Sequence, residues 1–156
     1  NKAWKSLTTP AYCWSNNDSS NKAVYGALYN WYAVNTNKLC PTGWHVPTHV
    51  EWTTLTNYLG GEKLAGRKLK EAGTIHWHDP NEGANNETDF KGLPGGERYA
   101  DDGTYLPIGY FGFWWSSSED STANAYSRGM NYGSTYVYGR GSNSKQTGFS
   151  VRCLRD

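Results

Sequence analysis

Residues 113–119 read Phe-Trp-Trp-Ser-Ser-Ser-Glu, a run of aromatic residues that predicts a short buried strand. Residues 148–156 read Gly-Phe-Ser-Val-Arg-Cys-Leu-Arg-Asp and predict a second one. Between them, residues 127–147 are mostly Ser, Gly, Tyr, Asn and Thr, which leaves little to bury. Rigid strands that carry a polar, tyrosine-rich segment are a common design for a binding surface. We therefore interpret residues 113–156 as a strand-rich part that presents a ligand.

The composition predicts a single, loop-rich extracellular domain that spans residues 1–156. Charged residues make up 19% of the chain and the formal net charge is +1, which argues against a nucleic-acid partner held through phosphates. No apolar run is long enough for a transmembrane segment. Eight Trp and twelve Tyr predict a core of large rings, each of which needs a partner for its N–H or O–H group.

The first part of the chain predicts an extended segment followed by a helix. Residues 1–22 contain a turn-rich Ser/Asn/Asp run and are expected to be extended and irregular. A helix is predicted over residues 24–36, because Leu28, Trp31 and Asn35 recur with helical spacing.

A second helix is predicted to start at Thr48, where Thr48 and Glu51 have the spacing of a capping box. Its apolar stripe consists of Trp52, Leu55 and Leu59, and Gly60 and Gly61 end it. A short helical piece follows over about residues 62–71. Residues 72–110 are mostly loop, and the chain then returns to strands.

No cofactor is required by any motif, but one loop offers oxygen ligands. Residues 81–89 are rich in Asn, Asp and Glu, so a structural calcium ion is possible there, although the spacing is not that of an EF-hand. His45 and His49 cannot share a helical face because Pro47 lies between them. The identity of any bound metal is left open.

Catalytic motifs are missing from the sequence, so we expect a protein that is not an enzyme. Residues 116–118 are three serines without the glycine pattern of a nucleophile elbow. The adjacent acids at 101–102 and 119–120 are typical of solvated turns. The glycine-rich pieces lack a phosphate-loop lysine.

A set of motifs in fixed order resembles the Fibrobacter succinogenes major paralogous domain, which occurs in surface and secreted proteins of bacteria. The motifs are YGALYNW (25–31), CPTGWHVP (40–47), EW (51–52), LPGG (93–96), WWSSSE (114–119) and GFSVRC (148–153). The resemblance covers nearly the whole chain.

This resemblance implies an α+β, C-type-lectin-like fold, with two helices packed on a twisted antiparallel sheet and long loops. It also relates the chain to the formylglycine-generating enzymes, whose active-site cysteines have no comparable arrangement here. The Glu-Pro-Asn and Trp-Asn-Asp signatures of calcium-dependent lectins are absent. The resemblance therefore implies a secreted or cell-surface location, but it implies neither an enzymatic activity nor a sugar ligand.

Such domains often serve as variable proteins of diversity-generating retroelements, in which adenines of asparagine codons are randomised. Changes in the first two bases of such a codon yield Tyr, Ser, Gly, Thr, Asp, His or Arg, and residues 127–147 are built largely from that set. A fixed-looking frame alternates with them: Ala125, Tyr126, Arg128, Met130, Val137 and Lys145. An ordinary polar hairpin has a similar composition, since Ser, Gly and Asn form turns.

We predict a disulfide between Cys40 and Cys153, which joins the turn after the first helix to the last strand. Cys13 would then be free or buried. A fully reduced protein is the alternative.

The favoured function is a non-catalytic binding module that recognises a protein or glycan on another cell or surface. If residues 124–132 form a strand, Tyr126, Arg128 and Met130 face the core and Ser127, Gly129 and Asn131 face solvent. The predicted contact surface is centred on Tyr136 and Tyr138. Around this centre we expect Ser127, Gly129, Asn131, Gly133, Ser134, Arg140, Ser142, Asn143 and Ser144. The alternatives are a formylglycine-generating-type enzyme and a carbohydrate-binding lectin.

Overall fold

The centre of the fold is a three-stranded antiparallel sheet. In the computed structural model, which describes residues 3–156 apart from the side chain of Arg140, strand β6 (Phe111–Glu119) pairs with β7 (Asn124–Asn131). β7 also pairs with β8 (Tyr138–Ser144). β7 is therefore a central strand with a neighbour on each edge.

Short two-stranded ladders surround this sheet. The pairs are β1 (Tyr12–Cys13) with β2 (Leu28–Tyr29), β3 (Trp44–His45) with β9 (Leu154–Arg155), and β4 (Glu97–Arg98) with β5 (Tyr105–Leu106). Single bridges extend the central sheet, because Trp114 pairs with Ser150 and Tyr29 pairs with Phe149. The architecture is mixed α+β with several antiparallel sheets, as the sequence predicts.

The helices are short. They are α1 (Lys22–Tyr25), α2 (Trp31–Val34), α3 (His49–Tyr58) and α4 (Glu62–Leu69). The predicted capping box starts α3, since Thr48 Oγ1 accepts from the Glu51 N–H at 3.2 Å and Glu51 Oε2 accepts from the Thr48 N–H at 2.8 Å. None of the helices in residues 3–156 has the length and apolar character needed to cross a bilayer.

The predicted helix over residues 24–36 is wrong. Gly26, with a φ of 70°, ends α1, and the next residues pair as β2. The side chain of Asn30 then caps α2 by accepting from the Ala33 N–H at 3.1 Å. Leu28 is buried by strand pairing with Cys13 rather than by a helical stripe. Pairing with distant segments therefore decides the structure here, although the apolar residues recur with helical spacing.

The N-terminal segment is also less extended than predicted. Its described part, residues 3–22, contains 3-10 turns at Trp4–Ser6, Ser15–Asn17 and Ser19–Asn21, with β1 between the first two. The strand-rich part begins at Phe111, two residues before the predicted start.

Both faces of the central sheet are covered. On one face, Trp114 and Met130 pack in the first core cluster with residues of α3, of α4 and of the segments between elements: Trp52, Leu59, Ala65, Leu69, Trp77 and Val137. On the other face, Phe113 and Trp115 pack in a second cluster: Trp31, Val34, Val46, Ala125 and Phe149. The successive residues of β6 thus serve two different cores.

A disulfide joins Cys40 to Cys153, the pair named from the sequence, with 5.8 Å between the Cα atoms. It lies next to the β3–β9 ladder and holds the end of the chain against the turn before β3. Cys13 is a free, buried cysteine that packs with Trp4 and Leu28.

Replacing both bridged cysteines by serine should lower the free energy of unfolding by roughly 4–5 kcal/mol, because the bridge closes a loop of 113 residues in the unfolded chain. Urea unfolding of the two proteins measures the difference. Cys13→Ala is the control and should cost about 1 kcal/mol or less. Non-reduced peptide mapping that links Cys13 to either partner would contradict the pairing.

Candidate functional site

The structure splits the predicted contact surface into buried and exposed parts. Ser127 and Gly129 are buried and cannot contact a ligand as predicted. They do lie on the face opposite Arg128 and Met130, but that face is covered by the second core cluster. Ser127 accepts a hydrogen bond from Asn143 Nδ2 at 3.1 Å. A Cβ atom on Gly129 would lie 2.7 Å from the Phe113 ring. The prediction assumed that only one face of β7 is covered, whereas at Ser127 and Gly129 both faces are covered.

The middle of the predicted surface is brought together. We call Asn131, Gly133, Ser134, Tyr136 and Tyr138 the tyrosine face. The Tyr136 and Tyr138 rings stack with centroids 5.9 Å apart and planes 12° apart, and Tyr136 is 40% exposed. Asn131 Nδ2 donates to the Tyr138 hydroxyl at 2.9 Å. The two rings therefore form one aromatic surface, in which Tyr136 is exposed and Tyr138 is half-buried.

The last three predicted residues, Ser142, Asn143 and Ser144, lie at the far end of β8, roughly 13–20 Å from Tyr138 at the usual rise of a strand. Ser142 is exposed, and both its backbone N–H (3.1 Å) and its hydroxyl (3.2 Å) donate to Asp120 Oδ2. These residues belong to a separate part of the hairpin. The side chain of Arg140 lies outside the described residues.

The segment that carries the tyrosines is fixed to α4. The Val137 N–H donates to the Glu62 carbonyl at 2.8 Å, and the Thr135 hydroxyl donates to the Lys63 carbonyl at 2.7 Å. Val137, between the two tyrosines, points inward and is 1% exposed. α4 approaches closely because Gly66 has no side chain, as a Cβ there would lie 2.5 Å from the Tyr136 carbonyl oxygen.

Lys70 fixes the turn before the tyrosines from below. Its side chain is fully buried, and Nζ donates to the carbonyls of Glu82 (3.1 Å), Asn131 (3.1 Å) and Ser134 (2.9 Å). Nζ also lies 5.5 Å from the centre of the Trp77 ring. Burial lowers the pKa of Lys70 to about 8. No sequence pattern indicates this role, because the three acceptors are backbone atoms far from Lys70 in the chain.

A second polar cluster lies on the opposite face of the same hairpin. The buried guanidinium of Arg128 donates to Thr53 Oγ1 at 2.8 Å and to His49 Nδ1 at 3.1 Å. Burial and the neighbouring Arg128 lower the pKa of His49. The His49 ring lies 4.2 Å from that of Tyr126, whose pKa is raised by its hydrogen bond to Asp120. Sequence reasoning placed Tyr126 and Arg128 in the core and did not connect them to His49.

The oxygen-rich loop at residues 81–89 uses several of its side chains within the chain. The side-chain oxygens of Asn85 and Asn86 accept backbone N–H groups, and Glu87 pairs with Lys68 at 3.1 Å. Among residues 3–156, no group of three His, Cys, Asp or Glu side chains is arranged to hold a metal ion. A calcium ion bound through other oxygens stays a prediction.

The family model described as the Fibrobacter succinogenes major domain matches residues 1–155. The chain belongs to this family. No curated protein and no solved structure matches it.

Lys70→Met should lower the free energy of unfolding at pH 7 by about 1–3 kcal/mol, because buried carbonyls lose their donor. The effect should depend on pH. The pKa of Lys70 falls from 10.5 to about 8 on folding, so between these values the unfolded chain binds more protons. The wild type should therefore gain stability relative to the variant as the pH rises from about 8 to 10.5.

Urea unfolding at several pH values measures this difference. Lys63→Met is the control, because Lys63 lies exposed on α4, the helix that ends just before Lys70, and its replacement should give a nearly constant difference. Equal pH dependence in the wild type and Lys70→Met would contradict the role assigned to Lys70.

Proposed function

We propose that this major domain is a non-catalytic ligand-binding module whose contact surface is the tyrosine face. The observation that carries the proposal is the stacked Tyr136–Tyr138 pair, held outward on a segment whose backbone is fixed to α4 and Lys70. Tyrosine offers a large amphipathic contact area at a small loss of rotamer freedom. A fixed backbone reduces the ordering cost of binding further.

The proposed setting is a secreted or cell-surface protein with a C-type-lectin-like fold, in which the partner is a protein or a glycan. The fold assignment rests on the family resemblance together with the mixed α+β architecture. The Cys40–Cys153 disulfide supports the location, since such bonds persist mainly in oxidising compartments.

The formylglycine-generating-type alternative needs a reactive thiol in an accessible site. Cys40 and Cys153 are bonded to each other, and Cys13 is 8% exposed and packed with Trp4 and Leu28. A buried thiol in apolar surroundings is a poor nucleophile. This favours the binding module over the enzyme.

We also propose that the tyrosine face is diversified by a retroelement. Five of the six frame residues named from the sequence support this, because Ala125, Arg128, Met130, Val137 and Lys145 are buried, whereas Tyr126 is half-buried. Ser127 and Gly129 are buried as well, so diversification would be tolerated mainly from Asn131 onward.

Deep sequencing of this gene from one bacterial population should show substitutions concentrated at exposed codons among 131–144. The codons of the buried frame, such as Met130 and Val137, should stay constant, because their side chains fill the core. Substitutions spread evenly over the gene would contradict the retroelement hypothesis.

Replacing Tyr136 and Tyr138 together by alanine should reduce ligand binding at least tenfold, because the loss removes the aromatic contact area. The melting temperature should change by only a few degrees, since Tyr136 is exposed, Tyr138 is half-buried with one side-chain hydrogen bond, and the backbone anchors of the segment do not involve either ring. A glycan array and a pull-down of surface proteins, each run with wild type and variant, identify the binding that depends on the pair.

The matched control is Tyr12→Ala with Tyr99→Ala, two exposed tyrosines away from the tyrosine face, which should retain full binding. If the Tyr136/Tyr138 variant retains binding, the contact surface lies elsewhere on the domain. Oxidation of a cysteine-containing sulfatase peptide by the domain would favour the enzyme instead.

A further inference from the structure

A large apolar groove lies apart from the tyrosine face. It has a volume of about 560 Å³ and runs between α3 and two loop segments near residues 89–90 and 152–154. Its apolar walls are Pro47, Trp52, Leu55, Tyr58, Phe90 and Leu154. This volume falls within the range of small-molecule sites. Tyr58 is 86% exposed and Leu154 is 41% exposed, so these two walls are open to a ligand, whereas Trp52 is 2% exposed and lines the groove only from the edge of the core.

Arg152 supplies a cation to this groove. Its guanidinium lies over the Phe90 ring, 4.5 Å from the centre, and donates to the Phe90 carbonyl oxygen. In the part of the chain that the structure describes, no carboxylate forms an ion pair with it. Arg152 is exposed, so its guanidinium is accessible from solvent. A guanidinium has five N–H donors in a planar fork that matches a carboxylate.

The acids that line the groove are already engaged. Glu51 accepts from the Thr48 backbone N–H and hydroxyl through Oε2, and its Oε1 lies 3.0 Å from His45 Nε2. Asp89 pairs with Lys91 at 3.3 Å. Arg152 is thus a charged residue of the groove that forms no ion pair within residues 3–156.

We propose that the groove binds a small organic acid with an aromatic body. The ring packs against Trp52, Leu55 and Phe90, and the carboxylate forms a bidentate pair with Arg152. A neutral ligand of the same shape leaves the cation unpaired. The site shares no residue with the tyrosine face, so it stands independently of the proposed function.

The test is a titration with 3-phenylpropionate, followed by ¹H–¹⁵N NMR. The Trp52 indole and the amides of residues 152–154 should shift, and 3-phenylpropionamide should bind at least tenfold more weakly. Arg152→Gln should remove this preference for the acid. Arg155→Gln is the matched control, because Arg155 does not line the groove and pairs with Trp44 in the neighbouring ladder; it should bind like the wild type.

Tyr58→Ser removes an exposed wall without touching the cation, so it should weaken the acid and the amide equally. If Arg152→Gln does not fold, Arg152→Lys replaces it and should weaken the acid severalfold, because lysine lacks the planar fork. Equal affinity for acid and amide, or shifts confined to other regions, would overturn the proposal. Self-association of the protein would also overturn the proposal if Tyr58→Ser abolishes it and 3-phenylpropionate does not compete with it. In that case the groove would be occupied by a second copy of the chain.

Discussion

The fold depends on pairing buried indole N–H groups with backbone carbonyls. Regular elements are short, so ladder hydrogen bonds alone do not hold the segments together. Several indoles donate across the chain at 2.7–3.0 Å: Trp4 to Gln146, Trp31 to Ser116, Trp77 to Gly92 and Trp115 to Tyr29. Each ring thereby joins apolar burial to one specific contact far away in sequence. An unpaired buried N–H would cost about 1–3 kcal/mol, so these contacts also select one arrangement of the loops.

Lys70 likewise pairs buried N–H donors with backbone carbonyls, but its donors belong to a charged group. A buried ammonium is unfavourable unless its donors are paired, and here it is paired with three backbone carbonyls from two separate segments. The cost of burial is visible in its lowered pKa. The three hydrogen bonds of Lys70 connect the turn between β7 and β8 to the end of α4 and to the loop at Glu82. The tyrosine face therefore has a rigid base despite its high content of Ser, Gly and Asn.

The sequence predicted local features and missed those that tertiary contacts decide. The capping box at Thr48 was predictable because its partners lie three residues apart. Val137 was named from the sequence as part of a fixed-looking frame, and it is buried just before β8 begins at Tyr138. The helix over residues 24–36 was wrong because Leu28 and Tyr29 gain more from pairing with distant strands than from a helical stripe. Ser127 and Gly129 were placed in solvent because alternation reveals which residues share a face, but not whether a second core covers it.

The tyrosine face separates what must be constant from what can vary. Its main anchors use backbone atoms: the carbonyls of Asn131 and Ser134 accept from Lys70, and the Val137 N–H donates to Glu62. A backbone atom keeps its role whatever side chain its residue carries. Tyr136 likewise contributes its carbonyl to the close contact with Gly66, while its ring remains outside. Substitution of the Tyr136 and Tyr138 rings therefore leaves these backbone anchors in place, so a change of ligand specificity at this surface need not change the fold beneath it.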